Sequence, residues 1–445
     1  MSRSQNDELG VGTAVEGNPA SARINGTRPS SHLLAPRSNG GMPNALIVVS
    51  DPAIANIRTC GLPLLVRLIC ALDRVADTVY VVPAPSTSES SLREVRREID
   101  ARPRKPNVVW ASSLAGVGAG RGMFIASASG IIDDRVCKRI STIDGYGDKV
   151  IRFRRAGERP FLWFAGSRHA AEILTQLTAK ADAASVLPSL LEREATADID
   201  PGREVCDRVT DELTRRTVEE KLFAQARKAS DTWIARNFDR HVSIFMTRRL
   251  VPFQVTPNQV TIGATLLGIV GAGFLALGTY GSQLLGSIFL VLSVVIDGCD
   301  GEVARLKYLE SDFGRRLDFF LDNVVNTLGI FTCSAGYYWR GGPAFFLWAS
   351  YINAGVALAS VFPVYWLFFR ENKEAYSPEQ DAAPRQSFDA AKLAENIAGR
   401  DFVYLIFFLA LFGRAHWFAY ICLVGVCAFL VFVVCLAARR ALSSR

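Results

Sequence analysis

Asp297, Asp300, Asp318 and Asp322 lie in one stretch that joins two long apolar runs. An ionised carboxylate close to hydrocarbon is costly, so it is normally paired, wetted or bound to a cation. At about 3.6 residues per turn, Asp297, Asp300, Gly301, Ala304 and Arg305 fall along one helix face. Asp318 and Asp322, four apart, share another face, with Gly314 one turn before them. Two such helices facing each other would bring four carboxylates into one pocket. Carboxylate oxygens without Cys or His suit a hard cation such as Mg2+, particularly one shared with phosphate oxygens. Gly301 and Ala304 leave their face nearly bare, so a flat or bulky group can approach the backbone. Arg305 offers a fork of donors for a phosphate.

The aspartates belong to a longer pattern: Asp297-Gly298-Cys299-Asp300-Gly301-Glu302-Val303-Ala304-Arg305, an eight-residue gap, then Gly314, Asp318 and Asp322. This fills every fixed position of D-x2-D-G-x2-A-R-x8-G-x3-D-x3-D. The chain here closely resembles the CDP-alcohol phosphatidyltransferase family, over roughly residues 230 to 440. The resemblance implies a six-helix integral membrane enzyme of phospholipid or phosphodiester biosynthesis. Such an enzyme moves a phosphoryl-alcohol group from a CDP-alcohol donor to a hydroxyl acceptor, lipid or polar alcohol, and releases CMP. It implies two Mg2+ ions, with Mn2+ as the alternative, held by Asp297, Asp300, Asp318 and Asp322, and it makes Asp322 the base as well. It places Asn258, Thr261, Gly301, Ala304, Arg305, Ser311 and Gly314 around the CDP-alcohol, and it is compatible with a homodimer paired through the spans.

The elements that must position these residues can be read from the apolar pattern. Six apolar segments follow one another: about Pro257 to Gly278, Leu284 to Val303, Phe313 to Trp339, Pro343 to Phe369, Phe402 to Phe412 and Trp417 to Ala437. A hydrocarbon core of ~30 Å needs roughly 20 residues per helix, so the fifth is short unless Gly399-Arg400-Asp401 belongs to it. The first segment opens on Thr256 as cap and Pro257 in the first turn. A helix N-terminus also attracts phosphate. Lys and Arg crowd the joints between segments two and three and between four and five, and the tail, against only Arg340 and Arg414 on the opposite side. The positive-inside rule then puts both termini and the aspartates on the cytoplasmic side. Arg370, Arg400 and Asp401 fall at the cytoplasmic ends of spans four and five, as acceptor ligands or as interfacial anchors.

Ahead of the membrane half the composition changes. Residues 1–43 are rich in Ser, Gly, Asn and Arg and read as a disordered arm. No basic start followed by an apolar run is present, so no secretory signal is expected. Residues 44–215 alternate strand and helix patterns: strands at Ala45–Val49, Thr78–Val82, Asn107–Trp110, Met123–Ala126, Val150–Phe153 and Phe161–Ala165, and helices at Leu62–Val75, Ser91–Ala101, Asp133–Ile140 and Arg168–Ala179. This is an α/β layered, Rossmann-like domain with a mostly parallel sheet. It resembles a sugar-nucleotidyltransferase, but departs where that family needs a glycine-rich loop: Ser50-Asp51-Pro52-Ala53-Ile54-Ala55-Asn56 has no glycine. Ile125 to Gly130 supplies no metal-binding Asp either, so the domain reads as a degenerate, inactive relative. Gly116 to Gly122 has the glycines of a phosphate loop, but a strand pattern comes next, and a plain loop is the simpler reading. Residues 216–252 form an amphipathic juxtamembrane helix, with Trp233, Ile234, Phe238, Val242 and Phe245 on one side and arginines on others.

The net charge of +7 gathers beside the membrane segments, which points to anionic headgroups and away from nucleic acid. The nine cysteines contain no CxxC pair and the four histidines stand apart, so neither a disulfide framework nor a zinc site is expected. Two other functions compete. A bifunctional enzyme would add an active N-terminal cytidylyltransferase, against which the missing glycine loop speaks. A carboxylate-coupled transporter would need polar groups near the midplane of several spans, whereas these charges crowd one edge.

Overall fold

The run from Asn44 to Val48 is apolar after its first residue, and the fold uses both of its faces. A computed structural model describes residues 41–83, 87–142, 145–155, 157–178, 183–226, 240–371, 402–425, 431 and 434–435. In it Ala45 and Ile47 of strand β1 (Asn44–Val48) enter one core, and Leu46 and Val48 enter a second core on the other side. A strand buried on both faces reads as a continuous apolar run, which is why it was visible. The arm expected over 1–43 lies outside the described residues apart from its last three.

The strands that follow are β2 (Arg58–Thr59), β3 (Leu62–Pro63), β4 (Val79–Val82), β5 (Val108–Trp110), β6 (Gly122–Ser127), β7 (Gly130–Ile132), β8 (Val150–Phe153), β9 (Leu162–Gly166), β10 (Ala197–Ile199) and β11 (Cys206–Arg208). Seven form one sheet in the order β10-β8-β9-β6-β1-β4-β5. Neighbours run parallel except around β9, which is antiparallel to both β6 and β8. Two small antiparallel pairs, β2 with β3 and β7 with β11, sit outside it.

Helices α1 (Pro52–Ala55), α2 (Leu64–Asp73), α3 (Glu89–Asp100), α4 (Asp134–Lys138), α5 (Ser167–Thr178) and α6 (Ala183–Glu194) complete the layered region. Every residue of α2 is buried, and α3 buries only Leu92, Val95 and Ile99. The loop after β1 runs straight into α1, whose Asp51 cap accepts a hydrogen bond from Ala53 N at 2.8 Å. The Gly116 to Gly122 stretch leads into a strand, β6, and not into a helix of its own.

Within the stretch expected as one helix over 216–252, the described residues hold the end of α7 (Glu212–Gln225) and all of α8 (Arg240–Leu250), with 227–239 outside the described residues. Then come α9 (Pro257–Ala276), α10 (Tyr280–Lys307), α11 (Asp312–Trp339), α12 (Ala344–Glu371) and α13 (Phe402–Leu411). Among the described residues three helices, Pro257–Ala276, Tyr280–Lys307 and Ala344–Pro363, are long and apolar enough to cross a membrane. Phe402–Leu411 and Ala415–Gly425 are shorter apolar helices. Helices α9 and α10 touch backbone to backbone: a Cβ on Gly271 would meet the Gly286 carbonyl oxygen at 2.8 Å, and one on Gly286 would meet that of Gly271 at 2.6 Å. Small residues at such crossings let helices pack closely where lipid offers no hydrophobic drive. Ser293 Oγ adds a 2.7 Å hydrogen bond to the Ala264 carbonyl. The sheet region and the helices belong to one compact unit, Met42–Arg445.

Candidate active site

Helix α10 runs 28 residues without a break, so the apolar part that crosses and the polar turns that follow are one rod. Its far end carries Asp297 and Asp300. The chain then turns through Tyr308 to Glu310 and starts α11, with Ser311 as N-cap accepting from Gly314 N at 3.0 Å. The two rods bring carboxylate oxygens of Asp297, Asp300 and Asp318 within 4.8 Å of one another. Asp297 is 5% exposed, and Asp300 and Asp318 are half-buried. Three carboxylates at this separation repel strongly where water is scarce, and a divalent cation cancels that repulsion. Oxygen donors without Cys or His fit a hard cation, and the set holds three of the four aspartates that the spacing singles out. Asp322 lies one turn beyond Asp318, half-buried, and is not one of the three that converge.

Helix α9 closes the pocket from a third side. Thr256 caps it in a reciprocal box with Gln259, as the sequence suggested. The Thr261 hydroxyl donates to Asp300 Oδ2 at 2.5 Å and lies 3.1 Å from the Pro257 carbonyl. Asn258 comes up to the start of α11: a Cβ on Gly314 would sit 3.0 Å from both Asn258 Oδ1 and Ser311 Oγ. Thr261 thus touches the aspartate cluster, and Asn258, Ser311 and Gly314 meet one another where α9 reaches the start of α11.

Gly301 and Arg305 behave differently from the expectation of a bare face. The Arg305 guanidinium lies along Gly301, where a Cβ would meet Nη1 at 3.1 Å. Its Nε donates to the Ala226 carbonyl at the end of α7, at 2.9 Å. Glycine here makes room for the chain's own arginine. Among the aspartates' basic neighbours, Arg315 pairs with Asp312 at 2.6 Å. Arg370 falls in the last turn of α12, and Arg400 and Asp401 lie outside the described residues.

One acidic residue escaped the sequence reading. Glu302 is fully buried on another face of α10, where it accepts from Ser243 Oγ at 2.7 Å and Thr247 Oγ1 at 2.6 Å. Both donors are on α8, four residues apart and so on one face. That helix turns its hydroxyls inward and leaves Phe245 58% exposed, as suits a helix lying against lipid. The spacing of Ser243 and Thr247 was a signal, but only a partner 55 residues away gives it meaning.

A family model described as CDP-alcohol phosphatidyltransferase matches residues 254–381, the span that contains α9, α10, α11 and α12. The helical half carries a CDP-alcohol phosphatidyltransferase domain. Among curated proteins, the chain is 43% identical over 96 residues to the "Bifunctional IPC transferase and DIPP synthase" of Aquifex aeolicus, covering 22% of this chain and 21% of that protein. It is 38% identical over 96 residues to the protein of that name from Thermococcus kodakarensis, covering 22% and 21%. It is 33% identical over 119 residues to the one from Archaeoglobus fulgidus, covering 27% and 23%. The matched stretch is less than a quarter of the length of each of these relatives. The phosphatidyltransferase domain contains all eight of the pattern positions quoted above, from Asp297 to Asp322, inside the matched residues.

Proposed function

We propose that this chain transfers a phosphoryl-alcohol group from a CDP-alcohol to a hydroxyl acceptor, releasing CMP, at the cytoplasmic edge of a membrane. One observation carries this reading: carboxylates from two different helices converge within 4.8 Å beside a hydroxyl from a third. Asp297, Asp300 and Asp318, joined by Asp322, would hold two Mg2+ ions. When bound, such ions neutralise charge on the transferring phosphoryl and on the leaving CMP. Asn258, Ser311 and the bare Gly314 form a cradle for the nucleotide end of the donor. Thr261 holds Asp300 in one rotamer. Asp322 stands one turn from the cluster and takes the proton from the acceptor hydroxyl. Six spans with both termini on the cytoplasmic side remain the topology that the Lys and Arg distribution supports.

The α/β region resembles a nucleotidyltransferase that has lost its triphosphate loop. Its Asp51 is spent on capping α1, and Pro52 follows directly. The relatives' name includes the word bifunctional, which favours a second reading in which this region makes the CDP-alcohol. The two readings are separated by assaying the full chain with Mg2+. CMP released from a CDP-linked lipid or polyol, and no pyrophosphate released from CTP with polyol phosphates, supports the first. Pyrophosphate release moves the assignment to the second, and no CMP from any CDP-alcohol overturns the transferase reading.

A further inference from the structure

The two aspartate helices are joined by a short turn, and that turn is held from outside the helical half. Tyr308 caps α10 in the left-handed region, φ 53 and ψ 41. A residue with a Cβ is disfavoured there, and such a conformation persists only when its surroundings impose it. Those surroundings are supplied by the α/β region. The Tyr308 ring packs against the largest core cluster of the sheet region. The guanidinium carbons of Arg67 and Arg74 stand 5.7 and 5.0 Å from its centre. Burial pushes the Tyr308 phenol up to about 12, so a neutral ring sits between two cations.

The same two arginines hold the ends of the turn. They are seven apart on α2, two helical turns along one face. Arg67, 2% exposed, donates to the Leu306 carbonyl at 2.8 Å and to the Thr59 carbonyl at 3.0 Å. The first of these satisfies one of the orphan carbonyls at the end of α10, where a cation is also favoured by the helix dipole. Arg74 pairs with Glu310 at 2.7 Å. On the other side, Lys307 Nζ donates to the Phe253 carbonyl at 2.6 Å, just ahead of α9.

We propose that Arg67, Arg74 and Tyr308 are positioning residues: helix α2 of the α/β region grips the turn between α10 and α11 and thereby sets the distance between Asp297, Asp300 and Asp318. A domain that has lost its own phosphate loop keeps a role as the clamp on its neighbour's metal site. This rests on the reading of the three aspartates as cation ligands, and it concerns the apparatus that aims them.

The test uses full-length protein in detergent and Mn2+ alone, with bound ion followed by electron paramagnetic resonance. Tyr308→Gly adopts the same backbone conformation without strain, so its effect reports the lost ring. It is expected to weaken Mn2+ binding roughly five- to twentyfold. Arg74→Gln, at a partly exposed site, is expected to weaken it in the same direction by a smaller factor. Tyr308→Phe keeps the ring and should bind Mn2+ within about twofold of the parent chain. Parent-like affinity in both Tyr308→Gly and Arg74→Gln overturns the inference, as does a Phe variant as weak as the Gly variant. A parent chain that binds no Mn2+ removes the metal reading itself, and the clamp with it.

Discussion

Helix α10 carries carboxylates on two faces, and the fold treats them oppositely. On the face towards α9 and α11, Asp297 and Asp300 meet Asp318 within 4.8 Å. On the face towards α8, Glu302 is sealed from water and meets two hydroxyls. The first group gathers negative charge that a divalent cation would relieve. The second spends its lone pairs on donors from its own chain. Acid residues close together on one helix but on different faces therefore do different work, and what decides it is the chemistry of the partner each one faces.

The contrast can be broken most directly at the aspartates. Asp300→Asn or Asp318→Asn should lower CMP release by on the order of a hundredfold or more, because a ligand of the transition-state cation is lost. The folded fraction should hold or rise, since like charges no longer oppose each other. Thermal unfolding of each variant beside the activity assay checks both halves of this expectation. An Asn variant that unfolds with its activity intact would reverse the assignment.

Divalent ions sharpen the same distinction. Mg2+ at a hundredfold excess over its Kd should stabilise the parent chain by about 2.7 kcal/mol through mass action, and a chelator should remove that gain. Asp297→Asn is expected to shrink the Mg2+ response, whereas Glu302→Gln should leave it in place. Differential scanning fluorimetry with and without Mg2+ reads both.

On the sealed face, the expected loss is in stability. Glu302→Leu leaves the Ser243 and Thr247 hydroxyls buried without their acceptor, at about 1–3 kcal/mol for each. Adding Ser243→Ala and Thr247→Val should recover part of that loss, so the cycle gives a favourable coupling. Purely additive losses would mean that α8 and α10 are held by something else. The smallest effect is expected for Thr261→Val, which removes one charge-assisted hydrogen bond to Asp300. It should raise the Mg2+ concentration for half-maximal CMP release by several-fold, consistent with about 1 kcal/mol, with little change in melting temperature.

What was legible in the chain follows from how local each signal is. The strands of the α/β region were visible because a sheet covered on both faces needs continuous apolar runs, and β1 shows this directly. The aspartates were visible because fixed spacing on a helix fixes a face. Less local features were missed. Helix α6 contains Pro188, which reads as a breaker. The β7–β11 pair joins two three-residue strands more than seventy residues apart, too short for a pattern to emerge. Glu302 received no role, because its donors lie on a helix more than fifty residues away in the chain. Arg305 read as a free phosphate fork, and its contact with Ala226 could not be foreseen from spacing. The left-handed Tyr308 had no local mark either, since no glycine or asparagine announces it.

The glycine contact between α9 and α10 bears on how a bulky donor gets in. With Gly271 and Gly286 backbone against backbone, these two rods approach as closely at that crossing as their main chains allow. They form the fixed wall of the pocket, like the anvil side of a vice. A single added methyl at Gly286 would meet the Gly271 carbonyl oxygen at 2.6 Å and press this wall apart.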